Sequence, residues 1–139
     1  MTFDLPMPPS VNNMYATFNG RRIPSREFKA WKADAAEKLG SQYARMGAPS
    51  VHRPVALTIR LGLNYRGDIS NRVKAVEDLL VDTLDMPNDR YIDRLLVERD
   101  QSIEGAVVTV EGSYVGDARP IGEIIKPIVA RIRAGVEGE

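Results

Sequence analysis

The stretch Gly67–Leu80, GDISNRVKAVEDLL, decides how the rest of the chain is read. Val73, Val76, Leu79, Leu80 and, further on, Leu84 recur close to the spacing of one buried helical face. Asn71, Lys74 and Asp78 stack on the opposite side at i, i+3 and i+7, next to Asp68. A plain surface helix does not need its polar groups gathered there. The segment before it, Val55–Leu63 (VALTIRLGL), alternates as a half-buried strand. The pattern predicts a strand, a connection carrying Asp68, and a helix running to about Leu84.

Working outward, the opening LPMPPSVNNMY holds Pro6, Pro8 and Pro9, so only residues 2–5 suit a strand before an extended loop. Tyr15–Phe18 and Arg21–Pro24 flank Asn19-Gly20, a dipeptide that accepts the positive φ of a type I′ hairpin turn. Ser25 is an N-cap for a helix of about 20 residues with Phe28, Trp31, Ala35 and Leu39 on one face and Gly47 as its stop. On the C-terminal side, residues 86–89 (MPND) are turn chemistry. Leu95–Ile103 and Ala106–Gly112 read as two strands joined in a hairpin across Glu104-Gly105. Ile121, Ile124, Ile125, Ile128, Val129 and Ile132 then recur at helical spacing before Gly135, with Pro127 interrupting, which predicts a helical extension at about 120–135. Strands and helices interleaved in this way indicate an α+β fold, a small mixed sheet with helices packed on it.

The 139 residues fit one domain, 1–139, and apolar and charged contents of 43% and 27% are ordinary for a folded soluble protein. Cysteine is absent from the sequence, which excludes disulfides and thiolate metal sites and suits a reducing compartment. No apolar run reaches a membrane span, and the N-terminus lacks a secretory pattern, so the expected location is the cytoplasm. The formal net charge is zero, but basic residues outnumber acidic ones in residues 1–60 and the balance reverses in 61–100. That distribution suits a protein that holds a polyanion with one part and a metal with another, although it is equally compatible with a solvated surface.

Each polar candidate has a plain structural reading. Asp68 or Ser70 suits a helix cap, Lys74 and Asp78 a surface ion pair, and Asp89 a turn former. What weakens these readings is their combination. Asp68 leaves a strand, and Asp89 comes shortly after the helix that Asp68 starts and shortly before the next strand. If that next strand lies near the first, both carboxylates converge at one end of the sheet. Carboxylates converging without cysteine suit a hard cation such as Mg²⁺. His52, alone in a Pro-flanked loop, offers little as a base or ligand.

Three stretches, in order, resemble the RusA family of Holliday junction resolvases. LPMPPSVNNMY is similar to that family's LPxPPSxNxxY opening. The run from Asp68 through Asn71 and Lys74 to Asp78 resembles its Asp-x-Asp-Asn-x-x-Lys-x-x-x-Asp helix. Asn88-Asp89 before Tyr91–Val97 resembles its Asp-Asp pair leading into a strand. The resemblance spans roughly residues 3–112. It implies a phage or prophage type of homodimeric endonuclease that nicks four-way DNA junctions symmetrically with Mg²⁺ (Mn²⁺ as a substitute). By the same resemblance Asp68 and Asp89 are metal-binding catalytic carboxylates, Lys74 is the catalytic lysine, and Asn71 and Asp78 support the site. Ser70 stands where the motif has its second aspartate, and Asn88 where the pair has its first. Ser70 would then bind the metal through a water or cap the helix.

Such an enzyme must neutralise a phosphodiester and position water, which Asp68, Asp89 and Lys74 would do around the cation. DNA positioning is expected from Arg21 and Arg22 after the hairpin turn, from Arg26, Lys29 and Lys32 on the first helix, and from Asn12 and Asn13 of the opening loop, chiefly through phosphate contacts. Symmetric cuts require a twofold dimer. Two other readings stay open: a branched-DNA-binding protein of the same fold whose Ser70 has cost it cleavage, and an unrelated α+β interaction domain whose acids are caps and turns.

Overall fold

Val55–Leu61 forms the central strand, β4 in chain order, with Val55, Leu57, Ile59 and Leu61 all buried and the residues between them half-exposed. The structure is a computed structural model and describes residues 1–49, 51, 54–84, 86 and 89–112. The expected C-terminal helical extension, His52 and Asn88 lie outside the described residues. Around β4 the described elements are β1 (Thr2–Leu5), β2 (Tyr15–Phe18), β3 (Arg21–Pro24), α1 (Arg26–Arg45), α2 (Val73–Thr83), β5 (Ile92–Arg99) and β6 (Ala106–Gly112). Short 3₁₀ turns sit at Val11–Asn13, Ser70–Arg72 and Asp89–Tyr91.

The main sheet has the order β1-β6-β4-β5. β6 runs antiparallel to both β1 and β4, whereas β5 runs parallel to β4. The fold is therefore α+β with a mixed sheet, as the sequence indicates. Period-2 alternation sends Phe3, Leu5, Leu57, Ile59, Val108 and Val110 to one face, where they are buried with Phe28, Trp31, Ala35 and Leu39 of α1 and Val76, Leu79 and Leu80 of α2. The opposite face is polar, with Thr2 and Thr109 joined through their hydroxyls at 3.2 Å.

α1 begins where the sequence places it. Ser25 Oγ accepts the Phe28 N–H at 3.0 Å, and Glu27 and Arg45 sit at the ends that the helix dipole favours. Gly47, at φ +84°, follows the helix end.

The expected β5–β6 hairpin does not form. Alternation marks both segments as strands but carries no information about their partners. Because α2 crosses over between β4 and β5, β5 returns parallel beside β4, and β4 separates it from β6. The connection from β5 to β6 instead passes across the end of β4: the Asp100 N–H donates to Leu61 O at 2.9 Å and the Gly62 N–H to Gly105 O at 2.8 Å. A Cβ on Gly62 would collide with the Ile103 carbonyl. This crossing ends β4 at Leu61, two residues before the expected limit, and sends the chain toward Asp68.

Candidate active site

Three prolines make the opening loop unable to pair as a strand, because they lack N–H donors while keeping their carbonyls. Side chains take those carbonyls. Trp31 Nε1 donates to Pro6 O at 3.0 Å, and Arg72 Nη1 donates to Pro8 O at 2.7 Å. Pro8 is fully buried. The Arg72 bond fastens the opening motif to the turn that follows Asp68, and the Val11–Asn13 turn lies against both the Ser70–Arg72 turn and α2. Two stretches far apart in sequence thus share one end of the sheet, with Asn12 and Asn13 exposed there.

Asp68 is exposed in the connection between β4 and the Ser70–Arg72 turn. It does not cap an α-helix directly, since α2 starts five residues later and the 3₁₀ turn intervenes. Its Oδ1 accepts the Ser70 hydroxyl at 2.7 Å and the Ser70 N–H at 3.0 Å. Those two hydrogen bonds, and more weakly the positive charge of Arg99, hold the carboxyl below its usual pKa, so it is ionised at neutral pH. Both bonds fall on Oδ1, which leaves Oδ2 as the oxygen available to a cation.

Lys74 is exposed on the first turn of α2 with its ammonium 3.1 Å from Asp78, and Asn71 is half-buried in the preceding turn. Arg99, at the end of β5, donates to the Asn64 carbonyl and lies 5.4 Å from the centre of the Tyr65 ring, bracing the loop before Asp68. Asp100 is engaged elsewhere. It accepts from the Ser102 hydroxyl and N–H and from Arg60, and is lowered to a pKa of about 2.

The basic candidates divide. Arg21 and Arg22 lie exposed on β3, with the Arg22 guanidinium 4.5 Å from the centre of the Tyr15 ring. Arg26 and Lys29 are exposed on α1. Lys32 is half-buried, ion-paired with Asp82 of α2 and 5.7 Å from the Phe28 ring centre, so it joins the two helices rather than extending a free basic stripe.

Within one chain the backbone does not bring Asp89 to Asp68. The β4–β5 register runs from Val55↔Ile92 to Leu61↔Arg99. Asp89, opening the turn just before Ile92, therefore sits at the Val55 end, while Asp68 follows the Leu61 end. Seven paired residues separate the two ends by about 20 Å. The expected convergence assumed that adjacent strands bring both acids to one end, but a parallel crossover places a residue after one strand and a residue before the next at opposite ends. Among the described residues no group of three or more His, Cys, Asp or Glu is placed to hold a metal.

Sequence reasoning passed over Arg72 and Arg99. Arg72 lies inside the motif, but its bond to Pro8 spans 64 residues and local sequence gives no signal of it. Arg99 gave none, since its role depends on the β4–β5 register.

A family model described as Endodeoxyribonuclease RusA matches residues 6–111. The chain belongs to the RusA family. That membership points to a Holliday-junction-resolving endodeoxyribonuclease acting on branched DNA, of a family whose nucleases are generally divalent-metal dependent. No curated protein matches the sequence. The span of the RusA match takes in the proline loop, the Asp68 connection, α2 and β5. No helix among the described residues is long and apolar enough to cross a membrane.

Proposed function

We propose that this RusA-family chain nicks four-way DNA junctions as a homodimer, with Mg²⁺ (or Mn²⁺) held jointly by Asp68 of one chain and the partner subunit's Asp89. The observation that carries the reading is Asp68 itself: an exposed, ionised carboxylate, fixed by Ser70, at the end where the proline loop, the Val11–Asn13 turn and Lys74 meet. Mg²⁺ keeps several waters and takes one or two carboxylates together with phosphate oxygens, and Asp68 alone offers it a single open oxygen. The second acid of the motif lies at the far end of the same sheet, and on this reading a second chain supplies it.

The edge strand supports such a dimer. β5 is the outer strand of the sheet and is exposed along most of its length, with Leu95 and Leu96, on opposite faces, 45% and 47% exposed. Among the described residues no strand pairs with this edge, and an edge bearing apolar residues is a template for another strand. Two copies of β5 paired about a twofold axis run antiparallel, so the Ile92 end of each meets the Arg99 end of the other. That arrangement carries each Asp89 toward the partner's Asp68 and gives two equivalent sites for two symmetric nicks.

When bound, the cation supplies charge neutralisation at the phosphate and activation of water. Asp68 holds it, and the Ser70 bonds keep the carboxylate oriented and ionised. The exposed Lys74 ammonium stabilises negative charge developing on the phosphate or the leaving oxygen. Asn71 and Asp78 support these groups from their own turns, and Arg21, Arg22, Arg26, Lys29, Asn12 and Asn13 engage the DNA backbone. Lys32 contributes to α1–α2 packing instead.

A second reading is favoured by the Ser70 hydroxyl, which already donates to Asp68 where the family motif has a further carboxylate. On that reading the protein binds junctions without cutting them. A nicking assay on a synthetic four-way junction, with and without Mg²⁺, separates the two. Paired nicks by the wild type, absent in chelator and in Asp68→Asn, support the nuclease. Tight binding with intact strands in Mg²⁺ and Mn²⁺ supports the binder.

A further inference from the structure

Phe18 is 64% exposed at the end of β2. Its strand pairs with β3 in a two-stranded ribbon separate from the main sheet. The ribbon turns through Asn19 at φ 51° and Gly20 at φ 73°, which sets Phe18 directly across from Arg21, with Thr17 across from Arg22. Its fold-side contacts are made by other residues, since Tyr15 packs 6.1 Å from the Phe28 ring centre and Ile23 is half-buried.

The base of the ribbon is anchored. The Ser25 N–H donates to Met14 O at 2.8 Å, and Ser25 Oγ donates to Asn13 O at 2.5 Å while capping α1. The Val11–Asn13 turn from which the ribbon rises lies against the Ser70–Arg72 turn. A groove of about 360 Å³ lined by Asn12, Tyr15, Thr17 and Arg22 runs along the ribbon face opposite Phe18. The ribbon is thus a braced prong, mounted beside the Asp68 turn, with an aromatic side chain at its tip and two arginines following.

We propose that Phe18 is a wedge that enters the branch point of a four-way DNA junction and unstacks the base pair there, while Arg21 and Arg22 hold the flanking phosphates. The inference rests on the junction-nuclease reading above and adds a specificity-determining residue to it. Exposed apolar side chains inserted between base steps are an established way for proteins to deform DNA, and insertion costs less where stacking is already interrupted. A branch point offers such an interruption and a linear duplex does not. The paired arginines match the phosphate charge and disfavour a purely apolar partner. Phe18 therefore shifts binding toward branched DNA without reading sequence.

The test uses full-length protein and a four-way junction carrying 2-aminopurine at the branch point, in chelator so that the strands stay intact. Wild type should raise the fluorescence of the probe. Phe18→Ala should abolish that rise and weaken junction binding by about tenfold, the scale of one lost aromatic–base contact, with affinity for linear duplex unchanged. Phe18→Trp should restore both. Because Phe18 is exposed, the alanine variant should melt at the wild-type temperature and sediment at the wild-type mass. A fluorescence rise in Phe18→Ala equal to wild type overturns the wedge, as does equal loss of junction and duplex affinity. An altered sedimenting mass assigns Phe18 to a contact between copies, and a lowered melting temperature assigns it to folding; either overturns the wedge too. If both proteins bind and nick the junction in Mg²⁺ with identical probe signals, the wedge alone falls. If neither binds the junction, the proposed function falls with it.

Discussion

Replacing Arg72 with methionine tests whether one side chain fastens the proline loop to the site. The substitution keeps an unbranched apolar stem for packing and removes the guanidinium that donates to Pro8 O at 2.7 Å. Pro8 is buried, and its carbonyl gains no other described partner, so the change leaves an acceptor unsatisfied. A group stranded in this way costs about 1–3 kcal/mol. Taking about 2 kcal/mol, the folded-to-unfolded ratio falls roughly thirtyfold. With a urea slope of about 1.5 kcal/mol per molar, the midpoint moves down by roughly 1.3 M. Urea unfolding followed through Trp31 fluorescence is a suitable assay, because Trp31 holds the neighbouring Pro6 carbonyl. The slope should stay constant while the midpoint drops. An unchanged midpoint would refute the claim that Arg72 secures the loop.

Other consequences concern the sheet end, the acids and the lysine. Gly62→Ala pushes a Cβ into the Ile103 carbonyl and should destabilise the protein by about 1–3 kcal/mol, read as a lower urea midpoint. Asp100 is held at a pKa of about 2 against an ordinary 3.8. Its stabilisation is complete above the ordinary value and lost as pH falls through the lowered one. The difference in melting temperature between wild type and Asp100→Asn should therefore be widest above pH 4 and shrink toward pH 2. Lys74→Met should slow junction nicking by on the order of a hundredfold or more while changing junction binding only a few-fold; equal losses in both would remove Lys74 from the chemistry.

The sequence made local structure legible where periodicity and turn chemistry act over short distances. Ser25 caps α1, Asn19-Gly20 closes the ribbon, and the alternation of Val55–Leu61 builds the central strand, each for the reason visible in the residues. Strand partnership was not legible. Leu95–Ile103 and Ala106–Gly112 looked like a hairpin because a short Gly-containing connection joins them, yet the crossover through α2 places β4 between them. The same crossover separates Asp68 from Asp89, a consequence of the parallel register that spacing alone does not disclose. Asp68 stood out as a candidate in the sequence, but its hydrogen bonds from Ser70 did not, since Ser70 read there as a helix cap or a metal ligand through water. The bonds from Trp31 to Pro6 and from Arg72 to Pro8 were not legible either, since each spans many residues and depends on how the helices seat on the sheet.

Mixing two inactive variants decides the shared-site account. Asp68→Asn and Asp89→Asn chains, each unable to nick a junction as a pure dimer, are unfolded together, refolded and assayed with Mg²⁺. If each site draws Asp68 from one chain and Asp89 from the other, the mixed dimer contains one site with both substitutions and one intact site, so nicking of a single strand per bound junction should return. If both acids serve from the same chain, every site in the mixture is damaged, and a mixture as inactive as its components would contradict the account.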